Sequence, residues 1–222
     1  MLDASPPRRT ESGADRFTAR AGVGLPVPAP TQIATFATRV VNGRLQPEPV
    51  EPPDAGDGRY AVVLGVSAPP SGSGEVVRYL VEVEEGLPFE PDAFAAAVHR
   101  ILNDYRGWGP RFERVDGGQV RFRVALSSPT LTDEQCAPLR TRGEVSCWNG
   151  GRAVINALRW GTGAKTYGDD IRSYREYLVS HEVGHALGHG HVSCPGPGEP
   201  APVMVQQTYS LEGCEPNPWP SQ

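Results

Sequence analysis

Four of the five histidines in the chain fall within the segment VSHEVGHALGHGHVSC, which covers residues 179–194. His181 and His185 are four residues apart, so on a helix they project from one face and can bind the same metal ion. Glu182 projects to the side of this pair, where its carboxylate would contact a water on the ion rather than the ion itself. This H-E-x-x-H arrangement is typical of two zinc ligands and a general base.

A catalytic zinc ion needs a third protein ligand, and two downstream histidines are candidates. His189 is next on the same face of a continuing helix, but it would lie too far along the axis to close a tetrahedral site. Gly188 predicts that the helix ends there, because glycine readily adopts the left-handed conformation found at helix ends. The chain can then reverse and bring His191 to the ion, which leaves His189 as a bystander or as a hydrogen-bond donor behind a ligand. We therefore expect one catalytic Zn²⁺ ion with three histidine ligands and one open position.

The pattern H-E-x-x-H-x-x-G-x-x-H over residues 181–191 resembles the signature of the metzincin clan of zinc metallopeptidases, in which a methionine-containing turn follows. Met204, in the stretch APVMVQQT, fits that Met-turn. Residues 181–208, with the terminal GCEPNPWP, are similar to an uncharacterised family of exported actinobacterial metzincin-like domains. The similarity covers the chain from about residue 60 onward. It implies an exported zinc metalloendopeptidase with an apolar methionine floor beneath the metal, and it supplies no substrate.

The chain departs from the metzincin pattern after Met204. Gln206 stands where some metzincins have a tyrosine that binds zinc or helps to stabilise the oxyanion, so that role is not carried over, and Tyr209 is the alternative. Few residues follow the turn, so we expect the usual C-terminal helix and lower cleft wall to be missing or replaced by a short part held by a Cys194–Cys214 disulfide. The link CPGPGEPAP is short and rich in proline, and it predicts a shallow cleft below the metal.

The resemblance implies hydrolysis of peptide bonds by a zinc-activated water, whereas the spacing alone predicts a three-histidine metal site beside a carboxylate. Zinc lowers the pKa of its water to about 7, and Glu182 would accept the proton and return it to the leaving amine. The substrate would lie extended, paired with an edge strand at residues 152–160 or with the strand before it. Two alternatives remain open: a non-catalytic, zinc-stabilised binding module of the cell envelope, and a structural zinc site closed by His189 as a fourth ligand.

Strands that could support the site are predicted from hydrophobic periodicity. The stretches YAVVLGV and EVVRYLVEVEE, from residues 60 and 75, predict a hairpin or two neighbouring strands. RFERV and QVRFRVALS flank Asp-Gly-Gly and predict a second hairpin, and RAVINALRW at residues 152–160 predicts another strand. Four residues alternate on the apolar face of the second strand: Val77, Tyr79, Val81 and Val83.

Two main helices are predicted. The first runs from Pro91, which suits a first helical turn, towards Gly107, which suits a stop. The second carries the histidines and begins near Asp170 or Ser173, since Ser173 and Glu176 have capping-box spacing. The order of elements predicts an α+β fold with one twisted, mostly parallel or mixed sheet. The resemblance adds a metzincin-like arrangement with the Met-turn and the short C-terminal part.

The four cysteines fall into a near pair and a C-terminal pair. Among three possible pairings, Cys136–Cys147 with Cys194–Cys214 closes the shortest loops. Disulfides indicate an oxidising compartment, whereas four free thiols would indicate the cytosol. The first residues, MLDASPPRRTESGADRF, show no apolar core of a signal peptide. We therefore expect a secreted or extracytoplasmic protein on the strength of the cysteines alone.

Composition separates the chain into two regions. Residues 1–57 are rich in proline, glycine and charge, which predicts a disordered tail or linker with one short strand at 35–41. Residues 58–222 form the predicted zinc peptidase domain. The net charge of −5 argues against nucleic-acid binding, and no stretch is long and apolar enough to span a bilayer. We expect a monomer whose partners are peptide or protein substrates.

Overall fold

The fold is taken from a computed structural model that describes residues 39–221. This part of the chain contains four α-helices and two β-sheets. The elements in chain order are β1 Val40–Val41, β2 Arg44–Leu45, β3 Tyr60–Val62, β4 Val76–Glu84, α1 Pro91–Leu102, β5 Arg111–Val115, β6 Phe122–Ser127, α2 Pro129–Cys136, β7 Cys147–Trp148, β8 Arg152–Asn156, α3 Ala157–Thr162, a 3-10 turn Lys165–Tyr167, and α4 Ile171–Ala186.

The larger sheet is mixed. Its strands follow the order β3-β4-β6-β8-β7. The strand β5 also pairs with β4, on the same edge as β3. The pairs β4–β5, β4–β6 and β6–β8 are parallel, whereas β3 and β7 run antiparallel to their neighbours. Parallel neighbours need a crossover connection, and α1 provides it between β4 and β5. The α+β prediction with a mixed sheet is therefore confirmed.

Helices α1 and α4 pack on one face of this sheet and share its main apolar core. The four alternating residues predicted on one face of β4 are all buried in that core. The opposite face is more polar. There Glu82 is buried, and its carboxylate accepts hydrogen bonds from Arg123 Nη1 at 2.6 Å and from Arg152 Nε at 2.8 Å. The alternation within β4 thus separates a core face from a face that carries paired charges.

Two of the predicted elements are wrong. The second hairpin does not form, because β5 and β6 both run parallel to β4 and lie on its opposite edges. The strand predicted at 152–160 ends at Asn156, whose side chain accepts a hydrogen bond from Leu158 N at 2.9 Å and caps α3. In addition, α2 replaces an expected loop. It begins at Ser128, whose side chain accepts from Leu131 N.

Residues 39–57 pack against the elements that follow them. Gln46 Nε2 donates to Asp170 Oδ1 at 3.1 Å, and Val50 N donates to Gly161 O at 3.1 Å. A Cβ atom on Gly161 would lie 1.9 Å from Val50 O, so only glycine permits this crossing. The packed region therefore begins before the domain boundary predicted at residue 58. Residues 1–38, including the first part of the strand predicted at 35–41, lie outside the described residues.

Both predicted disulfides form. Cys136 is bonded to Cys147 and Cys194 is bonded to Cys214, which confirms the pairing that closes the shortest loops. The first closes residues 137–146, called the disulfide loop below, and the second ties down the C-terminal part.

Within residues 39–221, none of the helices has the length and apolar character needed to cross a membrane.

Candidate metal and catalytic site

Helix α4 carries the first two histidines, and its start is fixed by Asp170. The Asp170 carboxylate accepts from Ser173 N at 3.0 Å and from Ser173 Oγ at 2.9 Å. Of the two predicted starting points, Asp170 is therefore the N-cap. Glu176 does not reach back to form the capping box; it pairs instead with Arg44 of β2. A capped first turn fixes where the later turns place their side chains.

The end of α4 is a Schellman motif built on Gly188. His189 N donates to Gly184 O and Gly188 N donates to His185 O, each at 3.0 Å. Gly188 has φ of +100°, a conformation that side-chain-bearing residues rarely adopt. These paired bonds define the motif, and they satisfy carbonyl groups in the last helical turn. The chain therefore reverses at the glycine from which the sequence predicted a reversal.

The reversal brings the three predicted histidine ligands together. His191 Nε2 lies 3.2 Å from His181 Nε2 and 3.1 Å from His185 Nε2. Two ligands at about 2.0–2.1 Å from one zinc ion, separated by a tetrahedral angle, lie about 3.3 Å apart. The observed separations fit that requirement. Among the described residues, these three form the cluster of side chains that could hold a metal ion.

Backbone carbonyl groups orient two of the imidazole rings. His181 Nδ1 lies 2.8 Å from Val203 O, and His185 Nδ1 lies 2.8 Å from His189 O. A carbonyl oxygen only accepts hydrogen bonds, so both Nδ1 atoms must carry the proton and both neutral rings present an Nε2 lone pair. Neutral His191 could donate to only one of them. Three ring nitrogens at this spacing are therefore best satisfied by a cation between them.

Electrostatics keeps the innermost histidine neutral. Burial is the main cause that lowers the pKa of His181 to about 3. Burial, followed by the charge of His185, also lowers the pKa of His191. Neutral imidazole is the form that binds metal, so both shifts favour ligation over protonation.

Glu182 is the buried carboxylate of the site. The residue is 5% exposed, and burial raises the pKa of the Glu182 carboxyl group to about 8. A cation at the three histidines would lower this pKa again, because a nearby positive charge favours the ionised carboxylate. Glu182 lines the same pocket as the histidines but is not a member of the metal-binding cluster found in residues 39–221, as expected of a general base beside a metal rather than a ligand of it.

Met204 lies in a turn next to α4. Val205 N donates to Pro202 O at 2.9 Å, and Met204 is buried in the main core. A Cβ atom on Gly184 would lie 2.5 Å from Met204 Sδ and 2.6 Å from Trp108 Cζ2. Glycine inside the H-E-x-x-H segment therefore allows the methionine and the indole to pack directly on the helix backbone.

Trp108 was missed by the sequence reasoning. Its indole stacks on His189 with ring centroids 4.2 Å apart, and its Nε1 donates to Ser180 O at 2.8 Å. His189 is thereby held where its carbonyl accepts from His185 Nδ1. His189, which was predicted to be a bystander, thus supports the ligand His185 through its backbone carbonyl group. Nothing in the sequence near Trp108 signals this contact, since 81 residues separate the two rings.

A second missed group holds the turn that contains Met204. Tyr177 OH donates to Val205 O at 3.0 Å and accepts from Gln207 N at 2.9 Å. The fully buried Gln207 side chain accepts from Tyr167 OH at 2.8 Å and donates to Asn217 O at 2.8 Å. These bonds fix the segment whose Val203 carbonyl orients His181. The only sequence signal for these contacts was the polar residue Gln207, which follows closely after the predicted Met-turn.

The three histidines and Glu182 line a pocket of about 220 Å³. Gln206 and Tyr209 line it as well, so the alternative to the missing tyrosine does face the site. The disulfide loop forms much of the remaining wall. The arrangement joins a three-nitrogen metal site, a buried carboxylate and space for another molecule, which are the components of metal-assisted hydrolysis.

Residues 46–220 match the sequence model of a family described as protein of unknown function (DUF3152). The match covers most of the chain, and the chain therefore belongs to this family. No curated protein matches the chain.

Proposed function

We propose that this member of the DUF3152 family is an extracytoplasmic zinc metalloendopeptidase of the metzincin type. The observation that carries the proposal is the convergence of three imidazole Nε2 atoms, two of them oriented by backbone carbonyls, beside a buried carboxylate at a pocket. The extended histidine motif and the methionine turn after it support the metzincin relationship.

The donor set fits a single zinc ion. Neutral imidazoles are good ligands for Zn²⁺, and three protein ligands with a free position distinguish catalytic from structural zinc sites. His189 is stacked on Trp108, and its ring is not a member of the metal-binding cluster found in residues 39–221. This argues against a site closed by a fourth histidine. Zinc bound there would supply a Lewis acid, which activates water and polarises a carbonyl group.

The chain's own residues supply the remaining chemistry. The Glu182 carboxylate accepts a proton from the attacking water and delivers it to the nitrogen of the leaving amine. Burial removes competing solvent from this carboxylate. His181 and His185 stay in fixed tautomers through their carbonyl partners, so their Nε2 atoms keep the lone pairs that a metal ion needs.

An extended substrate would pair with β7. Strand β8 already has β6 on one side and β7 on the other, so residues 152–156 offer no free edge for a peptide. β7 ends the sheet, and its Cys147 lines the pocket of the histidines. Backbone pairing at such an edge gives affinity with little sequence preference.

The two disulfides support an oxidising, extracytoplasmic location.

The proposal is tested by comparing the wild type with Glu182→Gln. Both proteins are loaded with zinc, checked for fold and metal content, and incubated with a broad peptide library read by mass spectrometry. We expect equal zinc content, cleavage by the wild type, and a loss of cleavage of about 10³-fold or more in the variant, since it lacks the general base. Equal activity in the two proteins would refute the role of Glu182. A folded, zinc-loaded wild type that cleaves nothing would favour the non-catalytic binding module.

A further inference from the structure

We propose that the disulfide loop forms a carboxylate-binding subsite in which Arg140 is the recognition group, so that the pocket selects substrates with a negative charge close to the reacting bond. This inference rests on the proposed function for the kind of substrate, a peptide. Its own content is the recognition of a carboxylate, which arises either from an acidic side chain or from a free C-terminus.

The first observation is the position of the loop. Leu139, Arg140 and Thr141 line the same pocket as the three histidines and Glu182, together with Val145 and Ser146 from the end of the loop. Arg140 and the candidate metal site therefore belong to one pocket. A substrate bound at the histidines therefore occupies the pocket that Arg140 lines.

The second observation is that the loop is built to hold its shape. Thr141 is 2% exposed and its Oγ1 donates to Asp133, while Gly143 N donates to the same carboxylate at 2.8 Å. Asn156 Nδ2 donates to Gly143 O, and Asn156 N donates to Ser146 Oγ, each at 2.9 Å. The Cys136–Cys147 bond closes the base of the loop. The backbone that presents Arg140 is thus fixed before a substrate arrives, which reduces the entropic cost of binding.

The third observation is the balance of charge. Arg140 is exposed, and no acidic side chain in residues 39–221 lies within ion-pair distance of it. Glu182 is the only acidic residue among the described residues that line the pocket, and it lies buried beside the histidines. A guanidinium binds a carboxylate through two parallel hydrogen bonds, so an incoming acid is the partner that this cation lacks.

Arg142 provides a matched control. It lies two residues further along the same loop, is exposed like Arg140, and is absent from the pocket lining. Replacing either arginine by glutamine removes one positive charge from the loop. Only the replacement of Arg140 removes a charge from the pocket.

The experiment uses pairs of peptides that differ by one carboxylate. In one arm, glutamate replaces glutamine at each position flanking the scissile bond, and the C-terminus is amidated. In the other arm, side chains are neutral and a free C-terminus is compared with an amide. The ratio of kcat/KM within each pair is measured on the zinc-loaded wild type, Arg140→Gln and Arg142→Gln. The ratio of Kd values is measured by calorimetry on the zinc-loaded Glu182→Gln protein, with and without Arg140→Gln.

We expect the acidic member to be preferred about tenfold by the wild type and by Arg142→Gln, and the ratio to fall to about one in Arg140→Gln. A preference in the first arm assigns the carboxylate to a side chain, and a preference in the second assigns it to the C-terminus. Equal ratios in the wild type, or a preference that survives Arg140→Gln, would overturn the subsite. If no peptide is cleaved but the binding preference is present and depends on Arg140, the subsite stands and the peptidase proposal fails.

Discussion

Replacing Gly188 by alanine perturbs the turn on which the whole site depends. A Cβ atom at this position meets nothing within 4 Å, so the substitution causes no steric clash. Its cost comes from the backbone, because φ is +100° and a left-handed conformation costs a side-chain-bearing residue about 1–2 kcal/mol. For a domain of this size we expect a decrease in Tm of about 2–8 °C.

Gly190→Ala is the matched control for this prediction. Gly190 lies two residues further along the chain, also has no atom within 4 Å of an added Cβ, and does not have positive φ. We expect its free energy of unfolding to stay within about 0.5 kcal/mol of the wild type. Both variants are unfolded by urea and by heat in saturating zinc, and zinc affinity is measured by competition with a chelator. If the apo protein relieves the strain by opening the turn, zinc affinity of Gly188→Ala falls by up to about 30-fold. Equal stability and affinity in the two variants would refute the role assigned to Gly188.

The remaining predictions concern the ligands, the helix packing and the C-terminal disulfide. His191→Ala should lower zinc affinity by more than about 100-fold in chelator competition, because it removes a direct ligand. His189→Ala should lower it far less, since the carbonyl that orients His185 belongs to the backbone; the reverse order would contradict the ligand assignment. Gly184→Ala should destabilise the protein by about 1–3 kcal/mol in urea unfolding, because the added methyl group meets the methionine and the indole packed there, and an unchanged midpoint would contradict that packing. Replacing Cys194 and Cys214 together by serine should cost about 3 kcal/mol of unfolding free energy, and a loss below about 1 kcal/mol would show that the staple is dispensable.

The candidate site was predictable because it is local in sequence. The spacing of the histidines and the position of Gly188 depend only on helix geometry and on the conformational freedom of glycine, and the structure has both the helix end and the reversal. The carbonyl that orients His181 comes from Val203, which is 22 residues away. Spacing along a helix says nothing about such a partner.

The sheet shows where periodicity fails. Apolar alternation in RFERV and QVRFRVALS identifies strands facing a core, and both strands form. Alternation does not specify which strand each one pairs with, and a short Asp-Gly-Gly link suggested a hairpin. In the fold, β5 and β6 instead flank β4 on opposite edges. Ser128 and Pro129 are typical of a helix start, so the beginning of α2 could be predicted. Its eight residues, however, have too little apolar periodicity to predict a helix.

The segment 39–57, predicted as part of a disordered tail or linker, shows a related gap between composition and contacts. Its composition gives little apolar surface, yet Gln46 and Arg44 bind the capped start of α4 through polar side chains. Polar contacts of this kind leave no periodic pattern in the sequence. They extend the packed region to the helix that carries the histidines.

The most direct test of the account is crystallography of the zinc-soaked protein with data collected on both sides of the zinc absorption edge. We predict one anomalous peak within about 2.0–2.2 Å of the Nε2 atoms of His181, His185 and His191, with the fourth position held by a water and Glu182 not bound to the ion. A peak elsewhere, a fourth protein ligand, or a ring of residue 191 turned away from the other two would contradict the account.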